Sequence, residues 1–170
     1  DNDLEKNPLL TTAGQSDIRK LSQNSGVLVK SVTGDCFMQN PFWKANHIQQ
    51  HKLFKKFEKI CEACVALNIN FIVIPLVDDG ALNTAEQERF LTRRLLDYQP
   101  YLEKNDLYIL FESDFTPSRL SGFIDTFPSN CFGINYDTGN SASLGYDALE
   151  ELSLYGSRVK NVHIKDRAVG

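Results

Sequence analysis

Residues 71–77, FIVIPLV, constrain the fold more than any other stretch. Seven apolar residues in a row leave no polar face for water. Such a strand is buried on both sides, and strands of this kind belong to parallel sheets covered by helices. The rest of the chain repeats the theme. GVLVKSV (26–32), LYILFES (107–113), CFGINYD (131–137) and VKNVHIKD (159–166) read as further strands. Between them lie helical patterns. In residues 47–69, Ile48, Phe54, Phe57, Ile60, Cys61, Cys64 and Leu67 recur near a 3.6-residue period, which makes an amphipathic helix. Residues 84–105 form another, with Thr84 and Gln87 spaced as a capping box and Pro100 kinking it or ending its first part. Shorter helices are predicted at 16–24, at 116–127 with Thr116 as cap and Pro117 in the first turn, and at 146–156.

Repeated strand–helix–strand units define an α/β protein. Two architectures fit: an open doubly wound sheet of five strands, or part of a (β/α)8 barrel. The ends favour the barrel. A polar segment and a helix precede the first strand, and no helix follows the last. Residues 1–170 are expected to be one TIM-barrel domain truncated at both ends, with about five central units.

Composition sets the surroundings. The chain is 42% hydrophobic and 24% charged, with net charge −4. That suits a soluble globular domain and argues against nucleic acid or an anionic membrane as partner. No apolar run approaches the roughly 20 residues of a membrane span. The four cysteines form no disulfide or zinc framework. Cys61 and Cys64 share one helical face and read as small core residues, so a reducing cytoplasm fits. A homo-oligomer is allowed.

Active sites of parallel α/β folds lie at the C-terminal ends of the strands. Glu112 ends the third strand, Asp137 the fourth and His163 the fifth. A carboxylate, a carboxylate and an imidazole suit Mn²⁺, Co²⁺, Mg²⁺ or Zn²⁺. Converging strand ends let them share one ion. Taken singly, each has a plainer reading: a solvated or capping acid, or a core histidine. Gly139 is expected to turn the backbone away from Asp137. Lys165 shares a strand face with His163, as a rim lysine or as a fixed charge for a substrate oxyanion. Phe37, Phe42 and Trp43 lie in a long loop that either covers the pocket, with Trp43 on the substrate, or packs beneath itself. His47 and His51 read as surface residues.

The segments ILFESD, GINYDTGNSAS and VKNVHIKDR together resemble the sugar isomerase/epimerase family with the xylose isomerase-like barrel, particularly its hexulose-phosphate isomerase and ribulose-phosphate epimerase branch. The resemblance implies one divalent ion held by Glu112, Asp137, His163 and a further Glu on a last strand outside this chain. It implies strands before the first one here as well. Asn140 stands where many free-sugar epimerases carry His, which points to the sugar-phosphate branch. Asn140, Lys165, Asp166 and Trp43 become candidates for binding a carbohydrate substrate. The implied chemistry is proton abstraction next to a carbonyl through an enediolate, with Glu112 as base and Lys165 stabilising charge. Alternatives are a metal-dependent dehydratase acting on a polyol or inosose, and a non-catalytic barrel that binds a small carbohydrate.

Overall fold

A computed structural model of the chain describes residues 6–165. Five strands form one parallel sheet: β1 (Ser31–Thr33), β2 (Phe71–Leu76), β3 (Tyr108–Ser113), β4 (Phe132–Asp137) and β5 (Val159–His163). Their spatial order is their sequence order. A doubly wound sheet reverses direction at a switch point. This sheet does not, and it curls as a half-barrel. Among the described residues, eight α-helices accompany it: α1 (Thr12–Ser25), α2 (Asp35–Gln39), α3 (His47–Leu67), α4 (Ala85–Leu96), α5 (Gln99–Lys104), α6 (Pro117–Ile124), α7 (Thr138–Ser143) and α8 (Ala148–Tyr155). Among the described residues, none is long and apolar enough to cross a membrane.

Strand alternation separates the two faces of the sheet. Ile72, Ile74 and Leu76 of β2, Ile109 and Phe111 of β3, and Phe132 and Ile134 of β4 join the main core against the helices. The opposite face carries Val73, Leu110, Glu112, Gly133, Asn135 and Asp137. Phe54, Phe57, Ile60, Cys61 and Cys64 bring α3 onto the core. Burial pushes the Cys64 thiol up to about 12 and Cys61 upward as well, so both behave as small apolar residues.

The helix ends follow local chemistry. Thr84 caps α4 by accepting from Gln87 N at 3.2 Å. The Gln87 side chain reaches one residue further back than a capping box requires, to Asn83 N at 2.9 Å. Asn68 closes α3 at φ 55°, a left-handed conformation that Asn tolerates. Pro100 sits in the first turn of α5, so the chain breaks before it at Asp97–Tyr98.

Three expectations are corrected. Of the first predicted strand, 26–32, only Ser31 and Val32 pair, in a strand that runs on to Thr33, because β2 begins opposite Ser31. Val27 and Leu28 are exposed instead. Ile48, placed on the buried stripe of α3, is 72% exposed, because the core begins only at Phe54. The segment after Asp137 is the helix α7, and Gly139 lies buried within it and makes no turn.

One irregularity governs the last strand. Ile134 pairs with Val159, but Asn135 pairs with Asn161, so Lys160 is an extra residue in β5. This β-bulge brings His163 opposite Asp137. Gly133 permits it. A Cβ there would lie 2.7 Å from the Arg158 carbonyl oxygen and 2.8 Å from Lys160 Cγ.

Candidate metal centre

Three strand ends deliver the site. Glu112 is the fifth residue of β3, and Asp137 and His163 end β4 and β5. One ligand atom from each lies within 4.8 Å of the other two. His163 Nδ1 is 3.2 Å from Glu112 Oε2 and 3.7 Å from Asp137 Oδ2. Both carboxylates are buried. Two acids and an imidazole in one place are costly unless a cation accompanies them.

Asp137 divides its oxygens between two tasks. Oδ1 accepts from Gly139 N and Asn140 N, both at 3.0 Å, and so caps α7. Oδ2 is buried and accepts no well-directed hydrogen bond among the described residues. It meets the Lys165 ammonium as a close ion pair. Proximity and charge define that contact, whatever the bond angle. An acid oxygen turned toward a histidine and a second acid fits a divalent cation. Burial works to raise the Asp137 carboxyl, but Lys165, the Asn140 N–H and His163 outweigh it and hold it below the ordinary range. Glu112 goes the other way. Burial, then the charge of Asp137, raise it above the usual carboxylate range.

A ring of amides fixes Glu112. Asn135 Nδ2 donates to Oε2 at 2.7 Å and lies 3.0 Å from His163 Nδ1. Asn140 Nδ2 donates to Oε1 at 3.0 Å. Asn161 Nδ2 donates to Asn135 Oδ1 at 2.7 Å, which orients that amide. Sequence reasoning passed over Asn135 and Asn161, yet each lies two residues before a named ligand candidate and therefore on the same strand face. Behind them, Glu151 is buried without a basic partner among the described residues. It accepts from Tyr136 Oη at 2.9 Å and Tyr155 Oη at 2.6 Å, and from Ser141 Oγ, tying α8 to β4 and α7.

The expected residues divide clearly. Glu112, Asn140, His163 and Lys165 line one cavity of about 500 Å³ at the strand ends. Asp137 lies beneath it. Trp43 does not line it. It is 4% exposed and packs edge-on against Phe42 at 4.9 Å, so the aromatic loop serves the core. Asp166 falls outside the described residues. His47 and His51 are exposed on α3.

A family model described as "Xylose isomerase-like TIM barrel" matches residues 2–170. The chain belongs to that family. Solved structures agree on the fold. A xylose isomerase domain protein from Planctomyces limnophilus is 14% identical, with a TM-score of 0.69, over 91% of this chain and 58% of its own. A sugar phosphate isomerase/epimerase from Parabacteroides distasonis is 14% identical, with a TM-score of 0.70, over 89% of this chain and 57% of its own. The IOLI protein, solved with a bound zinc atom, is 16% identical, with a TM-score of 0.69, over 98% of this chain and 60% of its own. This chain thus spans less than two thirds of each. No curated protein sequence matches it significantly.

Proposed function

We propose that this chain carries the metal-binding centre of a sugar isomerase or epimerase that removes a proton next to a carbonyl. The convergence of Glu112, Asp137 and His163 at three successive strand ends carries this reading. Relatives described as isomerases or epimerases and a relative holding zinc support it.

Glu112, Asp137 and His163 would hold the ion. A divalent cation there would polarise the substrate carbonyl and its neighbouring hydroxyl and so ease loss of the adjacent proton. Glu112 takes that proton. Its carboxylate is held by two amides, so little reorganisation is needed as it acts. Asp137 stays ionised beside Lys165. Lys165 is part exposed at the cavity wall, where its charge favours an oxygen that becomes negative. Asn140 lines the cavity and presents the rest of its amide to substrate hydroxyls.

The test uses the full-length protein that contains this chain. Mn²⁺ or Zn²⁺ uptake is measured first. Solvent deuterium incorporation next to the carbonyl of a panel of ketoses and ketose phosphates follows. Exchange is expected in the loaded protein, falling about 10² to 10⁴-fold in Glu112→Gln. Metal content is measured in parallel to separate lost base from lost ligand. Undiminished exchange in the variant removes Glu112 from the reaction.

A further inference from the structure

The short helix α7 bonds to all three candidate ligands. Its N–H groups at Gly139 and Asn140 donate to Asp137 Oδ1, both at 3.0 Å. Asn140 Nδ2 donates to Glu112 Oε1 at 3.0 Å. Thr138 Oγ1 donates to the His163 carbonyl oxygen at 3.2 Å. Whatever holds α7 in place therefore holds the geometry of the centre.

Apolar packing does not hold it. Ala142, its one apolar side chain, is exposed. Among the described residues, no member of α7 belongs to the hydrophobic core. The sequence TGNSAS consists mostly of poor helix formers, and so short a helix does not persist unaided. Polar anchors must do the work. Apart from its bonds to the ligands, α7 sends the buried Ser141 hydroxyl to Glu151 Oε2.

Glu151 is 3% exposed and divides its oxygens. Oε2 accepts from Ser141 of α7 and from Tyr136 Oη of β4, the latter at 2.9 Å. Oε1 accepts from Tyr155 Oη at 2.6 Å, one turn along its own helix. An ionised carboxylate only accepts, so one buried acid makes three hydroxyls point at it. Leaving such a group unsatisfied is costly, so the hydroxyls do not turn away freely. The acid thereby fastens α7 to the better packed β4 and α8.

We propose that Glu151 is a positioning residue of the metal centre: through Ser141 it fixes α7, and through α7 it sets Glu112, Asp137 and His163 at the spacing an ion requires. This rests on the preceding functional reading. Glu151 touches neither ion nor substrate, and its effect passes through the helix.

The test compares two bonds made by the same carboxylate. Mn²⁺ binding by the full-length protein that contains this chain is measured first, and absence of uptake overturns the functional reading and this inference with it. Ser141→Ala then cuts the bond to α7, and Tyr155→Phe cuts the bond within α8. Each removes one buried hydroxyl, so both should lower stability in urea to a similar extent. Mn²⁺ affinity is expected to fall about tenfold in Ser141→Ala and to stay within about twofold of the wild type in Tyr155→Phe. Glu151→Leu should match Ser141→Ala, and combining the two should weaken Mn²⁺ binding no further. A carboxylate that served stability alone would leave Mn²⁺ affinity unchanged in both hydroxyl variants. That result, a loss in Tyr155→Phe as large as in Ser141→Ala, or additive losses in the double variant overturns the inference and leaves the metal centre standing. If Glu151→Leu does not fold, the two hydroxyl variants decide the matter alone.

Discussion

Glu112 and Asp137 are both acids buried at strand ends, and their surroundings pull them in opposite directions. Asp137 lies against Lys165 and two backbone N–H groups, which outweigh its burial and keep it ionised. Glu112 has amide donors and the nearby Asp137 charge, and burial raises it. A cation entering this site displaces a proton only from a group that still holds one. The sign follows. Because the Glu112 proton leaves above the ordinary carboxylate range, metal affinity rises with pH through that range and weakens as pH falls. Asp137 adds little there, since it is already charged. Titration of Mn²⁺ at a series of pH values should show this step, and Glu112→Gln should flatten it. A profile of unchanged shape in the variant would assign the step to another group.

At the scale of elements, α7 starts on the residue that the metal centre needs. The two oxygens of Asp137 make the two roles separable. Asn caps helices about as well as Asp, whereas Ala costs roughly 1 kcal/mol at such a position. Asp137→Asn should therefore unfold closer to the wild type than Asp137→Ala in urea, while both lose metal affinity. Equal destabilisation by the two would mean that the cap contributes nothing.

Most elements were legible before the structure. The apolar runs gave β2, β3 and β4 to within a residue or two, because strands buried on both faces leave no competing pattern. Glu112, Asp137 and His163 were visible because strand ends in this architecture have one common destination. What escaped depended on pairing. Residues 26–29 have strand composition but pair with no strand, and only the Lys30 carbonyl reaches β2, accepting from Phe71 N at 3.1 Å. Trp43 has the chemistry of a pocket residue, and Phe42, itself packed on Phe54, claimed it for the core. The segment TGNSAS has poor helix formers, and a single buried cap carries it into α7. Asn135 looked like an ordinary strand residue until Glu112 and His163 closed around it.

The whole described molecule is an arc. Among the described residues β1 and β5 each pair on one side only. The outward face of β5 shows Val162, with Ile164 beyond it 88% exposed, and Leu149 and Leu152 of α8 are exposed too. Unpaired edges beside apolar surface invite association. The 170-residue chain expressed by itself should self-associate as its concentration rises. Val162→Lys with Ile164→Lys should reduce this in light scattering. A monodisperse monomer at all concentrations, unfolding in one cooperative step, would overturn the expectation.

Lys160 is spare length in a strand whose aim matters. Counted without a bulge, Val162 would stand opposite Asp137 and His163 would point to the helical side. With it, the histidine faces the acid. The strand can therefore lose one residue and keep its aim, and no more. Deleting Lys160 lets β5 run straight with Asn161 still beside Asn135 and His163 still beside Asp137, so metal uptake should survive. Deleting Lys160 and Val162 together leaves no slack to absorb the loss. His163 would then fall opposite Tyr136, on the wrong side of the sheet, and uptake should be lost from a chain only one residue shorter.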